Sequence, residues 1–513
     1  MQTELIVKEM RSVMMRYIST RSEHKKGMAG KNAAQAIIKG IAEDKGLFVP
    51  EKMPQPLGDV SLLTGKNYKE IAFLVLSKFL PDYTKEEIKT CIDYAYDESF
   101  EANEIVPLVK GGDAYFLELF HGPTAAFKDM ALSILPHLLT TALKKEKTAN
   151  KIAILTATSG DTGKAALQGF ADVEGTEIIV FYPHVGVSQV QERQMTVQTG
   201  NNVHVFGIKG NFDDAQAAVK TIFNDPFLAT ELGEKGWQLS SANSINIGRL
   251  VPQVVYYVWA YIKLLELGTL QPGEKMNVVV PTGNFGNILA SYYAREIGIP
   301  VGRFICASNR NNVLTDFINT GVYNANRDFY VTSSPSMDIL VSSNLERLLY
   351  HLSGNDGQLV ASLMKDLDET KTFEASDNIR GGLTEFYGGF ASEEETTSAI
   401  ADLYQQDHYL MDPHTAVGYK VYSDYVEKTG DTSPTVIAAT ASAYKFSETV
   451  VKALGLPSQM DGFKAITQLN QATGVKIPKG LQGLDKKPVL HTGVLEKNQI
   501  LKAVKQSCLS SGC

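Results

Sequence analysis

Residues 121 to 135 read HGPTAAFKDMALSIL, placing a lysine, Lys128, directly after an aromatic, Phe127, between a Gly-Pro turn and an apolar helical run. A lysine in the first turn of a helix lies at the positive end of the macrodipole, which disfavours the ammonium and favours the free amine. A neutral amine is a nucleophile. Polar flanks would make this a solvated lysine, but Phe127 and the apolar helix argue for burial.

Two glycine turns add complementary chemistry. TSGDTGKA, residues 158 to 165, follows IAILTA and opens a helix, so its N–H groups and the hydroxyls of Ser159 and Thr162 converge where an anion binds well. The same composition also serves in tight turns that need positive φ. PTGNFGN, residues 281 to 287, repeats the arrangement after MNVVV, with Gly283, Asn284, Phe285, Gly286 and Asn287 leading into ILASYYAREI. Neither turn is GxxxxGK[ST] or GxGxxG, so a nucleoside triphosphate or dinucleotide has no motif here.

Two anion cradles and a neutral amine suggest pyridoxal 5'-phosphate: Lys128 forms the Schiff base, one loop holds the cofactor phosphate and the other faces a substrate carboxylate. A sugar-phosphate enzyme without an aldehyde cofactor, and a binding protein that has lost turnover, stay open on these residues. Lys164 reads equally as a charge beside the first loop and as a solvated first-turn lysine. His121, alone at a turn, is more often structural than catalytic.

Such turns need a scaffold that gathers strand ends. From about residue 104, short β-branched runs alternate with turns and helices: IAILTA, EIIVFYP, NVHVFGI, MNVVV and RFICAS, with PTVIAAT further on. This alternation predicts the α/β class, with open, mostly parallel sheets covered by helices on both faces and ligands beyond the carboxyl ends of the strands. Residues 1–100 show apolar positions at helical spacing in NAAQAIIKGI, KEIAFLVLSKFL and KEEIKTCIDYAY. They predict a small, mainly helical N-terminal domain, followed over 101–513 by a two-lobed α/β region with the cofactor between lobes. Residues 311 to 430 read as a mostly helical, polar covering layer.

Composition excludes other classes. The net charge of −8 gives no electrostatic reason to expect nucleic acid or an anionic membrane as a partner. No segment reaches 18 uninterrupted apolar residues, and the opening MQTELIVKEMRSVMMRYISTRS breaks its apolar positions with charges, unlike an export signal. Cys91, Cys306, Cys508 and Cys513 show no CxxC or Cys/His metal spacing, which predicts a reducing compartment and no metal. The expectation is a cytoplasmic protein, monomeric or a small homo-oligomer.

Six blocks, YISTRS, GLFVPE, HGPTAAFKD, ATSGDTG, PTGNFGN and SMDILVSSNLERLL, occur in an order that resembles threonine synthase, of the longer kind found in bacteria and fungi. The likeness runs from about Tyr17 to past residue 450. It implies a pyridoxal-phosphate enzyme of fold type II, similar to the tryptophan synthase β chain. The implied reaction turns O-phospho-L-homoserine and water into L-threonine and phosphate, the last step of threonine biosynthesis.

The resemblance also implies roles. Lys128 would be the Schiff-base lysine and proton carrier, with Phe127 beside the ring and residues Gly283, Asn284, Phe285, Gly286 and Asn287 on the cofactor phosphate. Ser159, Gly160, Asp161 and Thr162 would meet the substrate carboxylate and the hydroxyl side of the cofactor. NSINIGRL, residues 243 to 250, would clamp the leaving phosphate through Ser244, Asn246 and Arg249. ATASAYKF, residues 439 to 446, aligns with a family segment that usually reads ATAHPAKF, placing Thr440 on the pyridine nitrogen. Ser442, Ala443 and Tyr444 depart from the usual His-Pro-Ala. The rival on the same fold is a phospholyase or dehydratase releasing 2-oxobutyrate, and avoiding that outcome requires water exclusion, a gating role for the N-terminal helices and the 311 to 430 layer.

Overall fold

The structure, a computed structural model, describes residues 15–22, 30–185, 187–223, 225–457 and 461–510. The charged opening read against an export signal lies outside these over residues 1–14, as does Cys513.

Two sheets organise the chain. One has five strands in the order Val494–Leu495, Val203–Ile208, Thr176–Pro183, Lys151–Ala157 and Trp237–Ser241, every neighbouring pair parallel. TEIIVFYP is buried at every position, as a strand covered on both faces must be. The second has six strands in the order Phe386–Phe390, Val301–Ser308, Met276–Pro281, Thr435–Ala439, Ala114–Glu118 and Leu108–Gly111. All its pairs are parallel except the last, a hairpin. This is the α/β architecture expected, and the runs read as strands are strands.

Phe386–Phe390 is a correction, because the 311 to 430 segment is more than a covering layer: FYGGF pairs with Val301–Ser308 and forms a sheet edge. Two central glycines remove its strand propensity, so only the partner reveals it.

In the N-terminal part, helices Ala33–Lys39, Tyr68–Phe79 and Lys85–Ala95 each start with a reciprocal capping box, at Asn32/Gln35, Asn67/Glu70 and Thr84/Glu87. Tyr17–Ser19 pairs antiparallel with Phe48–Pro50. These elements share one apolar core with the helix Ile247–Glu266, where Tyr68 meets Trp259 edge-on at 5.8 Å. Fully buried Arg347 joins them to the NSIN turn, donating to Phe48 O at 2.9 Å and to Ile245 O at 2.6 Å. No helix among the described residues is long and apolar enough to cross a membrane.

The chemistry-bearing segments all leave carboxyl strand ends. Lys151–Ala157 runs through the first glycine loop into the helix Asp161–Phe170, and Met276–Pro281 through the second into Gly286–Glu296. Ala114–Glu118 leads to Lys128, and Thr435–Ala439 ends one residue before Thr440.

Candidate active site

Lys128 is placed by its neighbours on both sides. Phe127 N donates to Thr440 O at 2.8 Å and Ser442 N to Ala125 O at 3.1 Å, so the segment before the lysine pairs with the end of the strand Thr435–Ala439. Asp129 ties down the preceding turn, accepting from Thr124 N at 2.8 Å and Thr124 Oγ1 at 2.6 Å. A Cβ at Gly122 would come within 2.6 Å of Asp129, so the Gly-Pro turn needs its glycine.

The buried amine lies 4.8 Å over the Phe127 ring, 3.6 Å from Asp161 Oδ2 and 3.3 Å from Ser336 Oγ. It titrates below the ordinary lysine range mainly because it is buried; Asp161 opposes the shift, and the positive fields of Lys445 and Arg249 add to it. The direction is the one expected, but the cause differs. The helix after Lys128, Asp129–Leu132, has four residues, too short for a macrodipole of consequence, so burial dominates.

In the first loop Thr158 Oγ1 accepts from Gly160 N at 3.0 Å and Gly163 N at 2.9 Å, so the cradle spends two of its donors internally. Gly160 has φ 143°, and a Cβ there would meet Gln191. Ser159 and Thr162 are half-buried. Asp161 receives Gln191 Nε2 at 2.8 Å and an ion pair from buried Lys445 at 2.8 Å. Burial alone would raise its pKa, but Lys445 and Lys128 hold it well below the usual carboxylate range.

The second loop is set by the SMDILVSSN block. Gly283 lies against the Ser336 carbonyl, where a Cβ would stand 2.5 Å away. Ser342 Oγ donates to Gly283 O at 2.7 Å, and Asn344 donates to Asn284 O from its N at 3.1 Å and its Nδ2 at 2.9 Å. With these carbonyls engaged, exposed Asn284 and left-handed Phe285 (φ 61°) lead into the N-terminus at Gly286. The Asn287 Oδ1 accepts Tyr256 and Tyr257 hydroxyls, leaving a buried Nδ2 without a partner among the described residues.

Arg249 opens the helix Ile247–Glu266 and is buried. Its Nη1 donates to Ala242 O at 2.6 Å, its Nε has no partner among the described residues, and burial brings its pKa down to about 10. No carboxylate among the described residues pairs with it. Ser244 is half-buried beside it in sequence, while Asn246 commits its side chain elsewhere, Oδ1 to Gly248 N at 2.9 Å and Nδ2 to Ile37 O at 3.0 Å. Asn246 thus orders the helix start.

Sequence reasoning gave no role to Lys445, Asp129 or Ser336. Lys445 donates to Thr124 O at 2.9 Å as well as pairing with Asp161. The altered Ser442-Ala443-Tyr444 forms the 3₁₀ turn that carries it: Ser442 caps the turn and the Tyr444 hydroxyl bonds Val475 O. Lys164 is buried rather than solvated, donating to Gln168 at 3.0 Å and to Gln198, and burial brings its pKa down to about 7.

Buried Lys128, Lys164, Lys445 and Arg249 therefore outnumber the buried carboxylates whose charges act on them, Asp129 and Asp161, and two buried donors, Arg249 Nε and Asn287 Nδ2, lack acceptors among the described residues. A phosphorylated aldehyde with a carboxylate-bearing substrate supplies that missing negative charge, so these residues fit pyridoxal phosphate.

Family models cover the chain in sequence: threonine synthase N terminus over residues 16–96, pyridoxal-phosphate dependent enzyme over 101–441, and threonine synthase, C-terminal, over 415–506. Threonine synthase-like 1 of Homo sapiens is 39% identical over 500 residues, 94% of this chain and 65% of that protein, so the chain spans just under two thirds of that relative's length. Threonine synthase of Pseudomonas aeruginosa is 39% identical over 444 residues, 86% of this chain and 90% of that one. The crystal structure of PLP-bound threonine synthase from Brucella melitensis superposes with a TM-score of 0.85 at 36% identity, over 96% of this chain and 100% of that one. That of yeast threonine synthase gives 0.85 at 30%, over 97% and 99%. The chain belongs to the threonine synthase family of pyridoxal-phosphate dependent enzymes.

Proposed function

We propose that the chain converts O-phospho-L-homoserine and water into L-threonine and phosphate. The observation that carries this reading is Arg249, a buried guanidinium that no carboxylate among the described residues pairs with and whose positive field reaches the Lys128 amine. A planar fork so placed suits a phosphate ester next to the reacting amine.

Pyridoxal phosphate, when bound, supplies an aldehyde for an amine and a ring that withdraws electrons from the substrate's α-carbon. In this reading the backbone of Gly283, Asn284, Phe285, Gly286 and Asn287 would hold its phosphate, Thr440 would serve its ring nitrogen, and Phe127 would flank the ring. Lys128 would be the Schiff-base lysine; burial lowers the pKa of its amine, which favours the free-base form that would take a proton from the α-carbon and return it. Asp161, ionised and neutralised by Lys445, faces Lys128 rather than another anion. That leaves the substrate carboxylate to Ser159, Thr162 and the Gly160 turn. Arg249 and Ser244 bind the departing phosphate at a helix start ordered by Asn246. The helical segment 1–100 and the 311 to 430 layer exclude stray water from the 101–513 region.

Buried free Cys91, Cys306 and Cys508 accord with a reducing compartment, and we place the protein in the cytoplasm, as a monomer or small homo-oligomer. The test is product analysis. Cofactor-loaded protein given O-phosphohomoserine is expected to yield threonine and equimolar phosphate; 2-oxobutyrate and ammonia in place of threonine would establish the phospholyase instead.

A further inference from the structure

Asp412 heads the helix Pro413–Thr429 and is completely buried. Among the described residues no lysine or arginine neutralises it; its ion-pair contact is His414. A buried carboxylate needs strong hydrogen bonds, and its two oxygens divide them. Oδ2 takes His414 Nδ1 at 2.6 Å and His414 N at 3.0 Å, while Oδ1 takes the Thr415 hydroxyl and Thr415 N at 3.1 Å.

Each branch continues to Lys128 or its surroundings. His414 Nε2 receives the Ser336 N–H at 3.1 Å. A backbone N–H can only donate, so Nε2 is the bare nitrogen and Nδ1 carries the hydrogen given to Asp412. Ser336 in turn presents Oγ to Lys128 Nζ at 3.3 Å and its carbonyl to Gly283. On the other branch the Thr415 hydroxyl, its hydrogen spent on Asp412, accepts Thr440 N at 3.3 Å, and Thr440 O accepts Phe127 N at 2.8 Å.

We infer that Asp412 is a positioning residue for the chemistry at Lys128, acting through His414 on Ser336 and through Thr415 on Thr440. One carboxylate thereby sets the group beneath the amine, the wall of the second glycine loop and the strand end beside the lysine. The inference rests on Lys128 and Thr440 being cofactor contacts, and its test separates from that reading.

All variants are compared as holoenzymes with O-phosphohomoserine. His414→Leu removes the acceptor for Ser336 N–H and is expected to lower kcat about 10²-fold, the scale of an ångström-sized misplacement, with little change in KM and a shifted visible band of the bound cofactor. His414→Gln, whose amide oxygen can take that N–H, recovers most of the rate. Asp412→Asn is isosteric but offers an N–H where a donor must be received, so the tautomer chain breaks and kcat falls at least as far. Thr415→Val lowers kcat and shifts the band independently, and Thr415→Ser restores both. In a His414→Leu background, Asp412→Asn costs no more than Thr415→Val does alone.

Normal kcat and an unshifted band in both His414→Leu and Thr415→Val, or fully additive losses in the double variant, overturn the positioning role. If the Asp412 and His414 variants do not fold, Thr415→Val against Thr415→Ser decides by the same two readouts. Absence of any borohydride-trapped adduct on wild-type Lys128 defeats the underlying reading; a normal adduct with unaffected variants defeats only this inference.

Discussion

Arg249 is a buried guanidinium that no carboxylate among the described residues pairs with, and the fold's tolerance of it is the residue-scale signature of a ligand site. Moving a guanidinium from 12.5 to about 10 corresponds to a penalty on the order of 3 kcal/mol on its charged form. Arg249→Met should therefore stabilise the cofactor-free protein by about 1–3 kcal/mol in denaturant unfolding. The same change should raise KM for the phosphate ester at least tenfold. A destabilised variant with unchanged KM would make Arg249 a structural residue. Lys128 and the glycine loops were legible in sequence because each is one contiguous stretch with unusual residue types. Lys445, Ser336 and Asp129 were not, because what marks them is burial and contact with residues that other segments bring to them.

At the scale of elements, the helix Asp161–Phe170 brings buried Lys164 into the site with its pKa lowered from 10.5 to about 7, chiefly by burial. Between those values the unfolded chain holds a proton that the folded chain has lost, so this group's contribution to stability rises with pH. The slope reaches at most about 1.4 kcal/mol per pH unit, and below about pH 7 the full penalty is present. Unfolding free energies of cofactor-free protein should climb from about pH 7 to 10, and Lys164→Met should flatten that climb. An unaltered slope would mean that Lys164 stays protonated with its two glutamines. Gly283→Ala tests the second loop: its Cβ, which no rotamer can move, would meet the backbone carbonyl of Ser336 at 2.5 Å. We expect weaker cofactor binding and about 1–3 kcal/mol of lost stability, read by titration and melting. Strands with β-branched runs were readable one by one; Trp237–Ser241, Val494–Leu495 and Phe386–Phe390 owe their existence to a neighbouring strand, which no local pattern records.

For the whole molecule, each sheet contributes one of the two glycine loops, and Lys128–Asp161–Lys445 links segments from the two sheets. A ligand that binds only this assembled state stabilises by mass action, by about 2.7 kcal/mol at a hundredfold excess over Kd. Stripping pyridoxal phosphate should lower Tm by a few degrees and restoring it should reverse the loss. The parallel α/β layout followed from the alternation of runs. The N-terminal helices were legible as helices from their spacing, but their sharing of a core with Ile247–Glu266 was not, since it depends on tertiary contacts such as Tyr68 with Trp259. The proposed chemistry needs one covalent attachment point, so the most direct measurement is borohydride reduction of the cofactor-loaded protein followed by peptide mapping. A reduced pyridoxyl group on Lys128 alone is the predicted result. Attachment at Lys164 or Lys445, or at no lysine, would contradict it.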